Sequence, residues 1–275
     1  MAALLALLAS ALWGTADFLG GTAARRLPVA SVLGVSQLVA LLGLVPLAAS
    51  IGALDEPRSY LLPALFAGLT GTAALACFYR ALATGTMGVV APVTSLGVVV
   101  PVVVGLLSGE SPSSVVWIGI VVAIAGIVLT SGPELTGGVS ARPVVIAAVA
   151  GVFFGIFFVF ADRGAEDSPL LTLWAMRATV AAVFVAIAVV KRTTGGLAGR
   201  DVWLVIVVAA GDLGANLSFA IASTKGFVSI TSVLSSLFPV VTVLLARAVL
   251  KERLRSVQII GVAVTMLGVA CISAG

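Results

Sequence analysis

The sequence has no histidine and few charged residues. Lys, Arg, Asp and Glu make up 9% of the 275 residues, whereas soluble domains carry roughly 25%. A water-facing surface cannot be built from so few charges, so we expect no sizeable soluble domain. The missing histidine removes the commonest metal ligand and the usual general base. The sequence therefore indicates no catalytic site, no metal site and no cofactor.

The sequence has only two cysteines and no nucleotide-binding motif. The two cysteines, Cys77 and Cys271, both lie in apolar runs, where they are interpreted as small buried side chains rather than a disulfide or metal ligands. The glycine-rich stretches also lie within apolar runs, not between a strand and a helix as a phosphate loop requires. Transport driven by ATP bound to this chain is therefore not expected.

Long apolar runs dominate what is present. The chain is 61% hydrophobic, with a mean hydropathy of +1.26, and its runs are about 20 residues long, the length that crosses about 30 Å of hydrocarbon as a helix. The sequence thus predicts an all-α polytopic membrane protein with ten transmembrane helices. The predicted spans are about 2–22, 29–51, 59–83, 86–107, 113–131, 143–162, 168–190, 201–222, 227–249 and 256–273.

The second half of the chain resembles the first. Eight of 22 positions are identical between Glu110–Ser131 and Glu252–Ser273, including the initial Glu and two Gly. We interpret residues 1–132 and 143–275 as two five-helix repeats joined by a connecting loop at 133–142. Because each repeat has an odd number of spans, the second enters the membrane from the opposite side. Such inverted repeats are common in secondary transporters, whose substrate site lies between the halves.

Basic residues are distributed unevenly over the connections. Eleven Lys and Arg lie on the odd-numbered connections and three on the even-numbered ones. Because cytoplasmic connections are enriched in basic residues, this count predicts cytoplasmic odd connections and both termini outside. Clustering of these residues in short connections gives no indication of nucleic-acid binding.

Four polar residues lie deep within predicted spans. Arg177, Asp212, Asn216 and Asp17 occupy spans 7, 8 and 1, where a charge is costly and must face the protein interior. One hypothesis is a substrate cavity formed by these residues. The alternative is an Arg177–Asp212 ion pair that only locks two helices together. Further candidates for the cavity wall are Trp13, Trp174, Tyr79, Gln37, Phe219, Ser232 and Ser236.

Prolines and two glutamates indicate local features. Pro92 and Pro101 in span 4 and Pro239 in span 9 are expected to kink their helices. Glu110 and Glu252 recur at equivalent positions in the two repeats. Each is interpreted as a cap that accepts backbone N–H groups at the start of the helix that follows it.

Several motifs resemble the drug/metabolite transporter superfamily, specifically its EamA-type ten-helix permeases. They comprise Ala11-Leu12-Trp13-Gly14, Phe78 to Gly85 followed by Ala91-Pro92, Gly109-Glu110, Phe238-Pro239 and Lys251-Glu252-Arg253-Leu254. The resemblance implies ten helices around a central pocket, alternating access, and transport of small metabolites across a bacterial plasma membrane. It also implies cytoplasmic termini, against the charge count. This chain has Gln37 where such permeases often carry a basic residue.

The leading functional hypothesis is a secondary transporter of a small polar or zwitterionic metabolite, first of all an amino acid. Arg177 would bind its carboxylate, and Asp212 or Asp17 its amine. The alternative substrate is an organic or quaternary ammonium cation in an aromatic cage of Trp13, Tyr79 and Trp174. A membrane enzyme or a non-transporting partner subunit is a third possibility. The expected partners are the substrate, the bilayer and a coupling proton or ion, but no nucleic acid, and the chain is expected to be a monomer or homodimer.

Overall fold

The computed structural model describes residues 1–50, 58–107, 113–136, 141–165, 168–191, 199–225, 234 and 237–274. Within these residues the chain is α-helical. The helices are α1 (Ala2–Ala24), α2 (Val29–Ser50), α3 (Leu61–Thr84), α4 (Met87–Thr94), α5 (Val99–Leu107), α6 (Ser114–Thr136), α7 (Arg142–Ala165), α8 (Pro169–Lys191), α9 (Gly199–Lys225), α10 (Phe238–Val249) and α11 (Ser256–Ala274). Helices suit these sequences because lipid offers no hydrogen bonds to the backbone.

The predicted ten-helix membrane fold is confirmed. Six helical segments are long and apolar enough to cross a membrane, and four shorter apolar helical segments fall at the other predicted spans. The structure divides span 4 into α4 and α5, with a 3₁₀ turn at Ser95–Val98 between them.

Proline accounts for that division. Pro92 lies inside α4 and Pro101 in the first turn of α5, and each lacks the N–H that would continue the helical ladder. The predicted kink in span 4 is therefore present. Pro239 lies in the first turn of α10, where a missing N–H costs nothing. Most of span 9 before Leu237 lies outside the described residues, so the expected kink at Pro239 stays a prediction.

The helices pack mainly against the opposite half of the chain. Helix α1 packs on α9, and its counterpart α7 packs on α3; α2 packs on α8, and α6 packs on α11. Exchanging the two halves reproduces this set of neighbours. The packing is therefore that of two interlocked repeats rather than two separate five-helix units.

Glycine contacts show the same relation at the level of single residues. The backbone of Gly14 packs against the carbonyl of Phe238 and the side chain of Val241, and Gly155 packs in the same way against Gly97 and Val100. The two contacts are equivalent, because Gly155, Gly97 and Val100 lie 141 positions from Gly14, Phe238 and Val241, respectively. Gly14 and Gly155 thus serve helix packing, because a residue without a side chain permits such close backbone approach.

Two ends of the bundle can be distinguished by their contacts. At one end, which we call the basic face, Arg25 reaches Glu252 and Gly85 packs on Pro143. At the opposite face, a cluster around Tyr60 joins the start of α3 to the start of α8 at Leu171. A larger buried cluster, including Phe78, Tyr79, Leu82 and Met87, fills the bundle towards the basic face.

Glu252 is a cap, but not of the helix that follows it. Its carboxylate accepts the N–H groups of Met87 and Gly88 at the start of α4, each at 3.3 Å. The expected partner, the start of α11 at Ser256, is instead capped by the Gln258 side chain, which accepts the N–H of Arg255 at 2.9 Å. The sequence pattern could not reveal this because the partner lies in the other repeat. Glu110 lies outside the described residues.

Candidate functional site

A small cavity lies between α1, α2, α3 and α9. Its volume is about 20 Å³, enough for about one water molecule. The lining residues are Ala16, Asp17, Ser36, Gln37, Leu75, Tyr79, Val208, Ala209 and Asp212. Two carboxylates, one amide and two hydroxyl-bearing side chains therefore face a space enclosed by both halves of the chain.

Arg177 lies behind one wall of this cavity and binds two of the lining residues. Its guanidinium donates through Nη1 to Oε1 of Gln37 on α2. Its Nη2 lies 2.6 Å from Oδ2 of Asp212 on α9. That contact lacks hydrogen-bond geometry, and Nε of Arg177 has no hydrogen-bond partner among the described residues. The pairing is therefore chiefly electrostatic.

Through its contacts with Asp212 and Gln37, Arg177 joins α8 to α9 and α2 close to the pseudo-twofold axis. Gln37 and Arg177 lie 140 positions apart, nearly one repeat, and α2 and α8 are equivalent helices that pack against each other. The structure thus shows the direct Arg177–Asp212 pairing of the helix-locking hypothesis together with a cavity beside it, so the two hypotheses are not exclusive.

Asp212 is the member of the pair that is open to the cavity. Its side chain is 26% exposed, against 10% for Arg177. Asn216, one turn along α9, donates to Oδ1 of Asp212 at 3.2 Å and to its backbone carbonyl at 2.7 Å. One carboxylate oxygen thus faces an amide and the other a guanidinium, which fixes the orientation of the Asp212 side chain.

Asp17 is the second carboxylate in the cavity wall. It lies on α1 one turn from Trp13 and faces the same space as Asp212 and Tyr79. In the described residues the structure gives Asp17 no ion-pair partner. The site has an excess of negative charge when both carboxylates are ionised, because only one guanidinium lies behind the wall. Such a site attracts a cation, because the charges interact strongly away from bulk water.

The aromatic candidates occupy three separate places. Trp13 contacts Phe219 with ring centroids 6.0 Å apart and Phe238 at 6.4 Å. Trp174 packs against the cluster around Tyr60, and Tyr79 lines the cavity. The structure therefore does not assemble the cage of Trp13, Tyr79 and Trp174. Phe238, which the sequence analysis did not select, joins Trp13 instead.

Four of the eleven sequence-predicted site residues line the cavity, namely Asp17, Gln37, Tyr79 and Asp212. Arg177 and Asn216 contact that wall, whereas Ser232 and Ser236 lie outside the described residues. The sequence analysis missed Ala16, Ser36, Leu75, Val208 and Ala209. Ser36 adjoins Gln37 and could have been found from this neighbour, but alanine and aliphatic residues give no signal in so apolar a chain.

The repeat relation explains why the cavity is on one side only. A shift of 141 residues relates Ala16 to Phe157 and Asp212 to Gly71. In the described structure the Phe157 ring packs directly against Gly71, so a large aromatic fills the place that corresponds to the cavity. Replacement of Phe and Gly by Ala and Asp at the equivalent positions opens the space and makes it polar.

The comparisons with known proteins agree with this architecture. The model of the EamA-like transporter family matches residues 1–132 and 141–274, once per repeat. The chain belongs to the EamA-like transporter family. A comparison with curated proteins finds no match for this EamA-like transporter. One solved crystal structure aligns with a TM-score of 0.70 and 20% identity, covering 98% of this chain and 95% of its own; at that identity the likeness shows the fold alone.

Family and fold together establish a multi-pass membrane transporter of small solutes. The cavity of this EamA-like transporter lies where transporters built from inverted repeats bind their substrates, between the halves. At about 20 Å³, the cavity in this structure is too small for a metabolite.

Proposed function

We propose that this EamA-like transporter moves a small metabolite bearing an ammonium group, first of all an amino acid, across a bacterial plasma membrane by alternating access. The observation that carries the proposal is the cavity with Asp17 and Asp212 in its wall. An ammonium group would replace the missing counter-charge of Asp17. The sequence contains no nucleotide-binding motif that could supply energy. Transport therefore follows the substrate gradient or a coupled proton or ion gradient.

Arg177 provides the second recognition element. While it is paired with Asp212 and Gln37, its guanidinium is not part of the cavity wall. Binding of a substrate carboxylate would require Asp212 to release Arg177 as the cavity widens. The released Asp212 would then join Asp17 in binding the amine. This exchange of partners couples substrate binding to separation of α8 from α9.

An organic cation without a carboxylate is the second candidate. It is favoured by the presence of two carboxylates in the cavity wall and the placement of Arg177 behind it. A quaternary ammonium group would find one aromatic ring, Tyr79, in the wall of this conformation. An amino acid needs Arg177 to become accessible, whereas a simple cation does not.

The test is solute uptake by liposomes containing the purified chain, over a panel of amino acids and choline-like cations. We expect uptake of at least one amino acid, accompanied by a ligand-dependent rise in melting temperature, because a ligand of the native state stabilises it. Arg177→Gln should abolish amino-acid uptake, with Arg80→Gln at an exposed position as the matched control. Uptake of cations alone, insensitive to Arg177→Gln, would favour the second candidate. Absence of flux and of stabilisation for the whole panel would refute the proposal.

A further inference from the structure

One carboxylate, in the connection between α10 and α11, binds two other connections of the chain at the basic face. Glu252, between α10 and α11, accepts the N–H groups of Met87 and Gly88 at 3.3 Å each. Its Oε1 also lies 3.2 Å from Nη2 of Arg25, after α1. The same Arg25 nitrogen lies 3.5 Å from the carbonyl oxygen of Gly85. A residue of the second repeat is thus held by two connections of the first.

The backbone before Glu252 is in an unusual conformation. Lys251 has a φ of 56°, in the left-handed region that a residue with a side chain adopts at a cost of about 1–2 kcal/mol. The turn ends α10 and directs the Glu252 carboxylate back towards α4. A left-handed residue directly after the C-cap is a common way to end a helix, and here it places Glu252 beside α4.

A continuous column of contacts leads from Glu252 to the cavity. Met87 provides one of the N–H groups and is itself fully buried beside Leu82. Both side chains pack on Gly21 of α1. The preceding residue, Gly20, packs against the ring of Tyr79. Tyr79 lines the cavity. Separation of Glu252 from α4 would therefore free the end of the column that closes the cavity towards the basic face.

We propose that Glu252, Arg25 and the first turn of α4 form a latch that holds this transporter closed at the basic face. Each contact of Glu252 joins the two halves, so all of its contacts must break when the halves separate there. An ion pair at a partly exposed site is weak alone, but a carboxylate that also accepts two N–H groups at a helix start makes stronger, charge-assisted bonds. The proposal rests on the proposed function, because a latch matters only if the cavity must open.

The test measures access to the column in the purified full chain. Leu82→Cys, in a background with Cys77→Ala and Cys271→Ala, reports opening at the basic face through its rate of alkylation by N-ethylmaleimide. Leu171→Cys, a buried leucine near the opposite face, is the matched reporter. We expect Glu252→Gln and Arg25→Gln to raise the rate at position 82 about tenfold and to leave position 171 unchanged. Arg26→Gln, at the exposed neighbour of Arg25, should change neither rate.

An unchanged rate at position 82, or an equal rise at both positions, would overturn the latch. If Glu252→Gln does not yield folded protein, Arg25→Cys with Glu252→Cys provides the second test. In the background without Cys77 and Cys271, a short bis-methanethiosulfonate cross-linker that joins the two new cysteines should stop uptake, and reduction of its disulfide bonds should restore uptake. Continued uptake with the link in place would refute the proposal. Alkylation is measured without substrate, so a latch effect with no flux would instead refute the transport function.

Discussion

The Arg177–Asp212 pair makes separate contributions to stability and to transport, which mutations can distinguish. Arg177→Gln or Asp212→Asn alone leaves one charge unpaired in the membrane interior, which we expect to destabilise the protein by about 3 kcal/mol or less, given the partial exposure of Asp212. The double variant removes both charges and should recover most of that loss. Melting temperatures of the four proteins, compared as a cycle, provide the measurement.

Uptake should not recover with stability in that cycle. If Arg177 and Asp212 bind substrate, the double variant remains inactive although it is folded. Recovery of both stability and uptake in the double variant would show that the pair only joins α8 and α9.

Asp17 is expected to reverse the usual relation between stability and function. Its carboxylate faces the cavity with Asp212, and repulsion and desolvation oppose its charge. Asp17→Asn should therefore reduce uptake by at least about tenfold while the melting temperature stays level or rises. Asp201→Asn, the same change near the end of α9, is the control and should retain uptake. A large fall in melting temperature in Asp17→Asn would indicate a structural role.

For single residues, the sequence predicted which polar residues are important better than it predicted their contacts. Arg177, Asp212 and Asp17 could be selected because charges within apolar spans are rare and costly. The bond from Arg177 to Gln37 was not predicted, although Gln37 was among the candidates for the cavity wall. The position of Trp174 beside the Tyr60 cluster was not predictable, because helical spacing gives the face of a residue but not the neighbour of that face.

At the scale of the helices, glycine permits close contact between neighbouring elements. Gly14 lies against Phe238 and Val241, so an added Cβ would come within 2.5 Å of the Phe238 carbonyl oxygen. We expect Gly14→Ala to lower stability by about 1–3 kcal/mol, the usual cost of overpacking. Gly199→Ala, where an added Cβ meets nothing within 4 Å, should be neutral. Thermal unfolding in detergent provides the comparison, and equal melting temperatures for the two variants would contradict this account of the α1–α10 contact.

The helices themselves were largely predictable, whereas the ways in which they begin and end were not. Long apolar runs gave the spans, and Pro92 with Pro101 gave the break between α4 and α5. The role of Pro239 at the start of α10 was missed because the same residue suits a kink and a first turn equally. The partner of Glu252 was missed because capping rules consider only the adjacent helix.

For the molecule as a whole, the charge count and the family resemblance predict opposite orientations in the membrane. Labelling of single cysteines distinguishes them. Arg25, Arg26 and Arg142 lie at the basic face, and Ser59 is exposed at the opposite face. The charge count predicts that an impermeant thiol reagent outside intact cells labels Ser59→Cys but not Arg26→Cys, in the background without Cys77 and Cys271. The opposite pattern would place both termini in the cytoplasm, as the family resemblance implies. Lysed cells, in which both positions react, are the control.

The exchange of helix partners between the repeats has a consequence for biogenesis. Helices α1 and α3 pack mainly on α9 and α7, which emerge from the ribosome only after the first repeat has been inserted. The newly made first repeat must therefore remain in the bilayer with its grooves covered by lipid or by a chaperone. Two halves produced from separate messages should survive together and be degraded when either is made alone.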